Sequence, residues 1–352
     1  MVISNMSGTK KQIKLSVIVR SLLIVFALYI LLIGSLLYFT AFDSALVRST
    51  VKYIPYPALM IGTDMARVSE VKEKLDSVKM FYENQDFPGL GARVDFSTPE
   101  GEKRLKVKEK YLLNKIIENK LIEKECEKRG IKLTDEIISQ EVDRKLKEYG
   151  SEKELKSNLK KLYGWTVADF QENIVKPDMY KEKLIASFKN NDPSTIQAKN
   201  KIEAAEKELE ARSDFSEIAK KYSEGESAKE SGDLGWFSAP EMLPEIATIV
   251  FFLKEGETSS IIESSLGYHI IKVEEKKTEE EIDMVKLRQV FTRTKTLADW
   301  LEEKSAETNV RVFLRDFYWD KEKGQLEFKD ETMRNFEKEL QENFSGDVSV
   351  IF

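Results

Sequence analysis

The residues from Ser21 to Phe42 read SLLIVFALYILLIGSLLYFTAF, a run of 22 positions without a charge. At about 1.5 Å of helical rise per residue the run reaches about 33 Å, enough to cross a hydrocarbon core of about 30 Å. It is apolar on every face, unlike a helix half-buried in a soluble domain. Lys10, Lys11, Lys14 and Arg20 precede it, and no acidic residue does. That charge bias predicts an N-terminus in the cytoplasm and a chain exported after Phe42. A cleaved signal peptide would carry a shorter apolar core, about 7–15 residues, ending in small residues. Thr40-Ala41-Phe42 and Ser44-Ala45 match that poorly, and Cys126 lies too far from the N-terminus to carry a lipid. The expectation is an uncleaved, single-pass anchor in the cell membrane, touching the lipid bilayer through residues 21–42.

Charged residues make up 34% of the 352-residue chain, with 56 basic against 62 acidic and a net charge of −6. Mixed charge at this density suits long solvated helices and excludes a polybasic nucleic-acid binder. One Cys and one His exclude a disulfide framework and a Cys/His zinc centre. No metal, cofactor or nucleic acid is expected. The length predicts about two domains at about 150 residues each.

Val51 to Ile61 is β-rich with two prolines and reads as an extended lead-in with a strand near Ala58 to Ile61. Residues 66–86 read as helix and Phe87 to Pro99 as loop. Lys103 to Arg129 keeps Leu105, Leu112, Ile116, Leu121 and Ile122 near helical spacing, with Gly130 as the stop. Further helices start at Thr134, at the capping box Ser151–Glu154 and at Thr166, and the second of these starts follows a stop at Gly150. Pro177 should kink or divide the helix from Val167 to Phe188. Asn190 to Pro193 reads as a linker. Helices follow at 194–212 and 214–222, then a small-residue loop at 223–235 and short helices within 240–253. Ile261–Glu263, Tyr268–Val273 and Val285–Arg293 are β-type, the last two separated by a charged spacer, Lys276 to Ile282. The tail reads helix (296–306), strand (309–315), turn at Lys323-Gly324, strand (325–328), helix (330–343) and a β run at Asp347–Phe352.

The words DFSEIAKKYSE, SAKESGDLGWF, LKEGETS and LGYHIIKV stand in order within residues 213–273. This stretch resembles the parvulin family of peptidylprolyl isomerases. The words EKYLLNKIIENKLIEKECEKRGIKLTDEII and NLKKLYGWTVADF, within residues 104–189, resemble the helical chaperone domain of SurA/PrsA-type exported foldases. The resemblance implies an α+β fold. A mainly helical chaperone domain would precede a four-stranded antiparallel sheet wrapped by helices. The expected order is a cytoplasmic tail (1–20), the transmembrane anchor (21–42), a SurA-like domain (43–192) and a parvulin-like domain (193–279). A C-terminal segment (280–352) would then close on the chaperone domain.

Matched to the family, Leu234, Phe237, Met242 and Ile246 would line a proline pocket; without that frame each is ordinary core. His269 corresponds to the second active-site histidine, and alternation puts it on the face opposite Tyr268 and Ile270. Ser264 falls where the family often has a hydroxyl bonded to it. Two departures stand out. Gly225 occupies the place of a Cys or Asp, and no first strand carrying a histidine precedes Ser194. The run at 285–293 resembles that strand moved to the far end, with Gln289 in the histidine's place. It is expected to pair with Tyr268–Val273 and bring Gln289 to His269.

The resemblance implies a membrane-held foldase that isomerises X–Pro bonds in unfolded or proline-containing exported polypeptides. The alternative is a holdase on the same fold. A structural rod would leave the GDLGWF and LGYHII words unexplained. A hydrolase would need a nucleophile beside His269, and Cys126 lies in another segment.

Overall fold

The computed structural model describes residues 15–40, 44–84, 95–148 and 151–343. The loop expected at Phe87–Pro99 lies largely outside these residues, and the stop at Gly150 and the β run at Asp347–Phe352 lie wholly outside. In chain order the first elements are α1 (Leu15–Phe39), α2 (Ala45–Tyr53), β1 (Pro57–Ile61), β2 (Asp64–Arg67), α3 (Val68–Asn84) and α4 (Pro99–Lys128). Next come α5 (Asp135–Glu148), α6 (Glu152–Tyr163), α7 (Val167–Phe170), α8 (Lys176–Asn191), α9 (Pro193–Glu210) and α10 (Phe215–Tyr222). They are followed by β3 (Asp233–Ser238), α11 (Pro244–Val250), β4 (Ile262–Glu263), β5 (Gly267–Glu279) and β6 (Ile282–Arg293). The chain continues with α12 (Leu297–Glu307), β7 (Val310–Val312), β8 (Phe317–Asp320), β9 (Gln325–Phe328) and α13 (Glu331–Asn343).

Two compact units result. The first takes residues 1–117, 157–165 and 308–352, and the second takes 118–156 and 166–307. They cut across the segments expected from sequence, because residues 118–156 and 166–192 pack with the unit that holds the larger sheet. The expected linker explains why. Helix α8 ends at Asn191 and α9 begins at Pro193, leaving Asp192 alone between them. The Asp192 carboxylate accepts from Ser194 N at 2.9 Å, and Pro193 takes the first turn. Asp then Pro is a helix-start signal as much as a loop signal.

In the first unit, β1 lies between β2 and β7, antiparallel to both. Its Ala58, Leu59 and Ile61 are buried. The expected extended lead-in is helical up to Tyr53. Ser44 Oγ accepts from Val47 N at 3.3 Å, and Val47, Thr50 and Val51 face inward, so i, i+3, i+4 spacing outweighs the β-propensity of branched residues. Phe81, Tyr82 and Phe96 form a small aromatic core with Leu105, Leu162 and Tyr163. The chain's end returns to α4. Lys110 Nζ donates to Glu327 Oε2 at 3.0 Å and to Glu337 Oε2 at 2.5 Å, all three side chains being buried. Asn114 Oδ1 accepts from Leu326 N at 2.8 Å. Helix α1 starts earlier than the uncharged run and includes Arg20.

In the second unit, α7 runs into α8 through a π-helical turn, Gln171–Val175, just before Pro177. The wider turn accommodates a residue that lacks an N–H, so the helix continues past the proline. The sheet order is β3-β6-β5-β4, all antiparallel. The charged spacer expected at 276–282 is mostly strand. β5 runs to Glu279, and Glu280 and Glu281 turn the chain with φ of 51° and 67°, the two-residue turn that matches strand twist. Cross-strand pairs such as Lys286–Glu275 and Thr278–Asp283 hold this polar hairpin. One sheet face packs Tyr268, Ile270 and Val290 against α9 and α10 through Ala198, Ile202, Phe215 and Ile218. The other packs Ile271, Val273, Val285 and Leu287 against Ile246, Val250 and Ile262.

Candidate active site

The second face carries the site. On β5, His269 alternates with Ile271 and Val273, so it projects on the α11 side. On β6 the same face shows Val285, Leu287, Gln289 and Phe291. The register sets His269 opposite Phe291 and Ile271 opposite Gln289. The late strand therefore lies beside Tyr268–Val273, as its sequence suggested, in the middle of the sheet between β3 and β5.

His269 is 4% exposed. Its ring stacks on Phe291 with centroids 4.7 Å apart. Nδ1 lies 3.4 Å from Gln289 Oε1 and Nε2 lies 2.8 Å from Ser264 Oγ. An amide oxygen only accepts, so Nδ1 carries the proton and the Ser264 hydroxyl donates to Nε2. Burial holds the His269 pKa below the ordinary imidazole value, against a smaller upward pull from the Gln289 hydrogen bond and the Glu245 charge. The ring is neutral at neutral pH.

Ser264 is buried and also accepts from Leu266 N at 3.1 Å. The turn that presents it requires Gly267, since a Cβ there would lie 2.1 Å from Thr292 O. Gln289 is oriented from its far end, where Nε2 donates to Ser227 Oγ at 3.2 Å. Gly225 is different. Its φ is −75°, and a Cβ would meet Phe291, Ser227 and Gln289 at 3.5–3.7 Å, ordinary contact. Nothing in the backbone demands glycine there. Leu234, Phe237 and Met242 are half-buried against the apolar cluster, and Ile246 is buried within it. All seven residues singled out from sequence thus gather on one side of one sheet, some from its strands and some from the turn and helix packed over it.

Sequence reasoning missed Ser227, Phe291 and Glu245. Alternation along Val285–Phe291 could have found Phe291. Ser227 sits in a short 3₁₀ turn, Glu226–Glu230, whose place is set by long-range bonds. Glu224 N donates to Phe291 O at 2.7 Å and Gln289 N to Gly232 O at 2.8 Å, so the loop lines the part of β6 beyond its pairing with β3.

A family model for the PPIC-type PPIASE domain of rotamases matches residues 184–275. The foldase protein PrsA of Geobacillus kaustophilus is 31% identical over 198 residues, covering 50% of this chain and 66% of that protein. The chain is similar to the parvulin-type foldases of the SurA/PrsA kind. Among these foldases, the chaperone SurA of Methylobacillus flagellatus is 33% identical over 131 residues, 36% of this chain and 30% of its own. Both alignments span less than two thirds of the relative's length. The crystal structure of PrsA from Bacillus subtilis is similar at 24% identity, over 57% of this chain and 75% of its own, with a TM-score of 0.19. At that score the superposition carries no argument. The rotamase-domain match ends at residue 275, before β6 begins, so Gln289 lies outside that stretch.

Proposed function

We propose that this chain is a membrane-anchored, extracytoplasmic foldase that isomerises X–Pro bonds in unfolded exported polypeptides. One observation carries the reading: a buried, neutral His269 projects from the sheet face on which the apolar residues Leu234, Phe237, Met242 and Ile246 gather, inside the stretch matched by the rotamase domain. Unaided, an X–Pro bond turns over in tens to hundreds of seconds, because the C–N bond is partly double. A catalyst need form no covalent bond. It must seat the proline ring, exclude water from the amide and favour the twisted amide over the planar one. The four apolar residues suit the first task. His269, held as a single tautomer between Ser264 and Gln289, presents a fixed dipole to the second and third.

The holdase reading has its own support. Gly225 and Gln289 replace two polar groups that the family pattern supplies, so activity is expected to be weak and client binding robust. The helices at 104–189 would then hold extended clients, with no nucleic acid or metal involved. A protease-coupled X–Pro assay on the full chain in detergent, run beside an aggregation-suppression assay, separates the two readings. Acceleration above the uncatalysed rate is expected; its absence at high protein concentration, with aggregation still suppressed, leaves the holdase alone.

The topology reading rests on α1, which is long and apolar enough to cross a membrane, and on the basic residues before it. A reporter fused after Phe352 should be active only outside the cytoplasm. A soluble exported product with a new N-terminus near residue 45 would refute the uncleaved anchor.

A further inference from the structure

Helix α1 is exposed on all sides from Leu15 to Leu28. Beyond that point one flank is docked. Tyr29 shares a hydrogen bond with Thr50 of α2, Tyr56 OH donates to Ile30 O at 2.8 Å, and Tyr38 OH donates to Pro57 O at 2.8 Å. Ile33 is fully buried. Gly34 lets the Tyr56 ring approach; a Cβ there would lie 3.3 Å from Cε1. The opposite flank stays apolar and open, with Leu31 68%, Leu32 58% and Phe39 79% exposed.

The fourteen residues Leu15–Leu28 rise about 21 Å, well short of a hydrocarbon core of about 30 Å. They also contain Arg20. If α1 spans a bilayer, the remaining length must come from its docked half, and lipid must reach the open flank near Phe39. Whatever covers the docked flank then shares that depth, and α2 covers it.

The surface of α2 fits such a place. Val47, Thr50 and Val51 face inward. Leu46 and Tyr53, seven residues apart and so on one stripe, are 58% and 78% exposed. Arg48 and Lys52 form the adjacent basic stripe, also exposed. We propose that α2 is a membrane-interface helix, with Leu46 and Tyr53 inserted among the lipid headgroups and upper acyl chains. Tyrosine favours that boundary, and long basic side chains can bury their stems while their charges reach the phosphates. The occupant is lipid because the apolar surface of α2 continues that of α1. The proposal rests on the membrane-anchored reading. Its consequence is that the first unit is held against the bilayer through two helices and does not swing on a flexible tether.

Full-length protein in vesicles of phosphatidylcholine and phosphatidylglycerol tests this. A fluorophore is placed at Leu28→Cys, Leu46→Cys, Tyr53→Cys or Lys338→Cys, one at a time. The native Cys126 is buried and its thiol pushed up to about 11, so it labels slowly. Lipids carrying a quencher at shallow or deep acyl positions report depth. Labels at 46 and 53 should lose emission to the shallow quencher, the label at 28 to the deep one, and the label at 338 to neither. Labels at 46 and 53 that behave like 338, while 28 is quenched, overturn the proposal and leave the anchor standing. No quenching at 28 overturns the anchor and the proposal with it.

Discussion

The amide of Gln289 joins His269 to Ser227: its oxygen lies 3.4 Å from His269 Nδ1, and its nitrogen donates to Ser227 Oγ at 3.2 Å. A glutamine can make both bonds but cannot take a charge. Gly225 lies beside the same amide, where a Cβ would make ordinary contact.

Supplying ionisable groups at positions 225 and 289 should raise turnover. Gln289→His with Gly225→Asp is expected to increase kcat/KM toward the lower end of the about 10²–10⁴-fold that a positioned proton-handling group contributes. The protease-coupled assay reads this, and an unchanged rate in a folded double variant would show that the polar groups are not limiting.

Pocket shape should matter more than the imidazole. Met242 is half-buried in the apolar cluster, whereas His269 Nδ1 faces a neutral glutamine amide. Met242→Ala is expected to lower kcat/KM more than His269→Ala does, at matched thermal stability. If His269→Ala abolishes activity while Met242→Ala spares it, this weighting of the mechanism is wrong.

Acid should weaken the second unit through His269. Its folded pKa lies below the ordinary value of 6.5, chiefly through burial. Between those two values the unfolded chain binds more protons, so stability rises with pH there. The contribution is fully present above about pH 6.5 and is lost as pH falls through the depressed folded value. Urea midpoints measured from pH 7 down to pH 5 should fall, and His269→Gln should flatten that dependence.

The buried Lys110 clasp should govern the closure of the chain's end. Lys110→Met leaves Glu327 and Glu337 buried. Glu327 keeps Lys323 and Gln325 as donors, but Glu337 already has one oxygen without a partner. Removing one member of a buried pair costs about 3–5 kcal/mol. Chemical denaturation of the first unit should show a loss of that order, as should deletion of residues 329–352. A Lys110→Met/Glu337→Leu double variant should recover much of it, and an unchanged midpoint in the single variant would show that the clasp is not holding the end in place.

Much of the fold was legible because it is written in short periods. The cap at Ser151 and the stop at Gly130 each act within a turn or two, and they stand where the sequence placed them. The failures share a cause. The helix Ala45–Tyr53 and the strands of the charged hairpin carry residues whose own preference points the other way, and a buried face or a cross-strand partner decided them. Asp192-Pro193 reads equally as linker or helix start, and only the neighbours of α8 and α9 choose.

The site divides the same way. Sequence by itself determined that His269 faces away from Tyr268 and Ile270, that Ser264 lies near it along the chain, and that Gln289 sits on a β run, because alternation is a property of one strand. Only the tertiary structure decided that β6 lies between β3 and β5, that Ser227 turns the Gln289 amide, and that Phe291 stacks on the ring. Those depend on register between segments up to about sixty residues apart, and register is set by which apolar faces can be buried together, a choice no local stretch of chain contains.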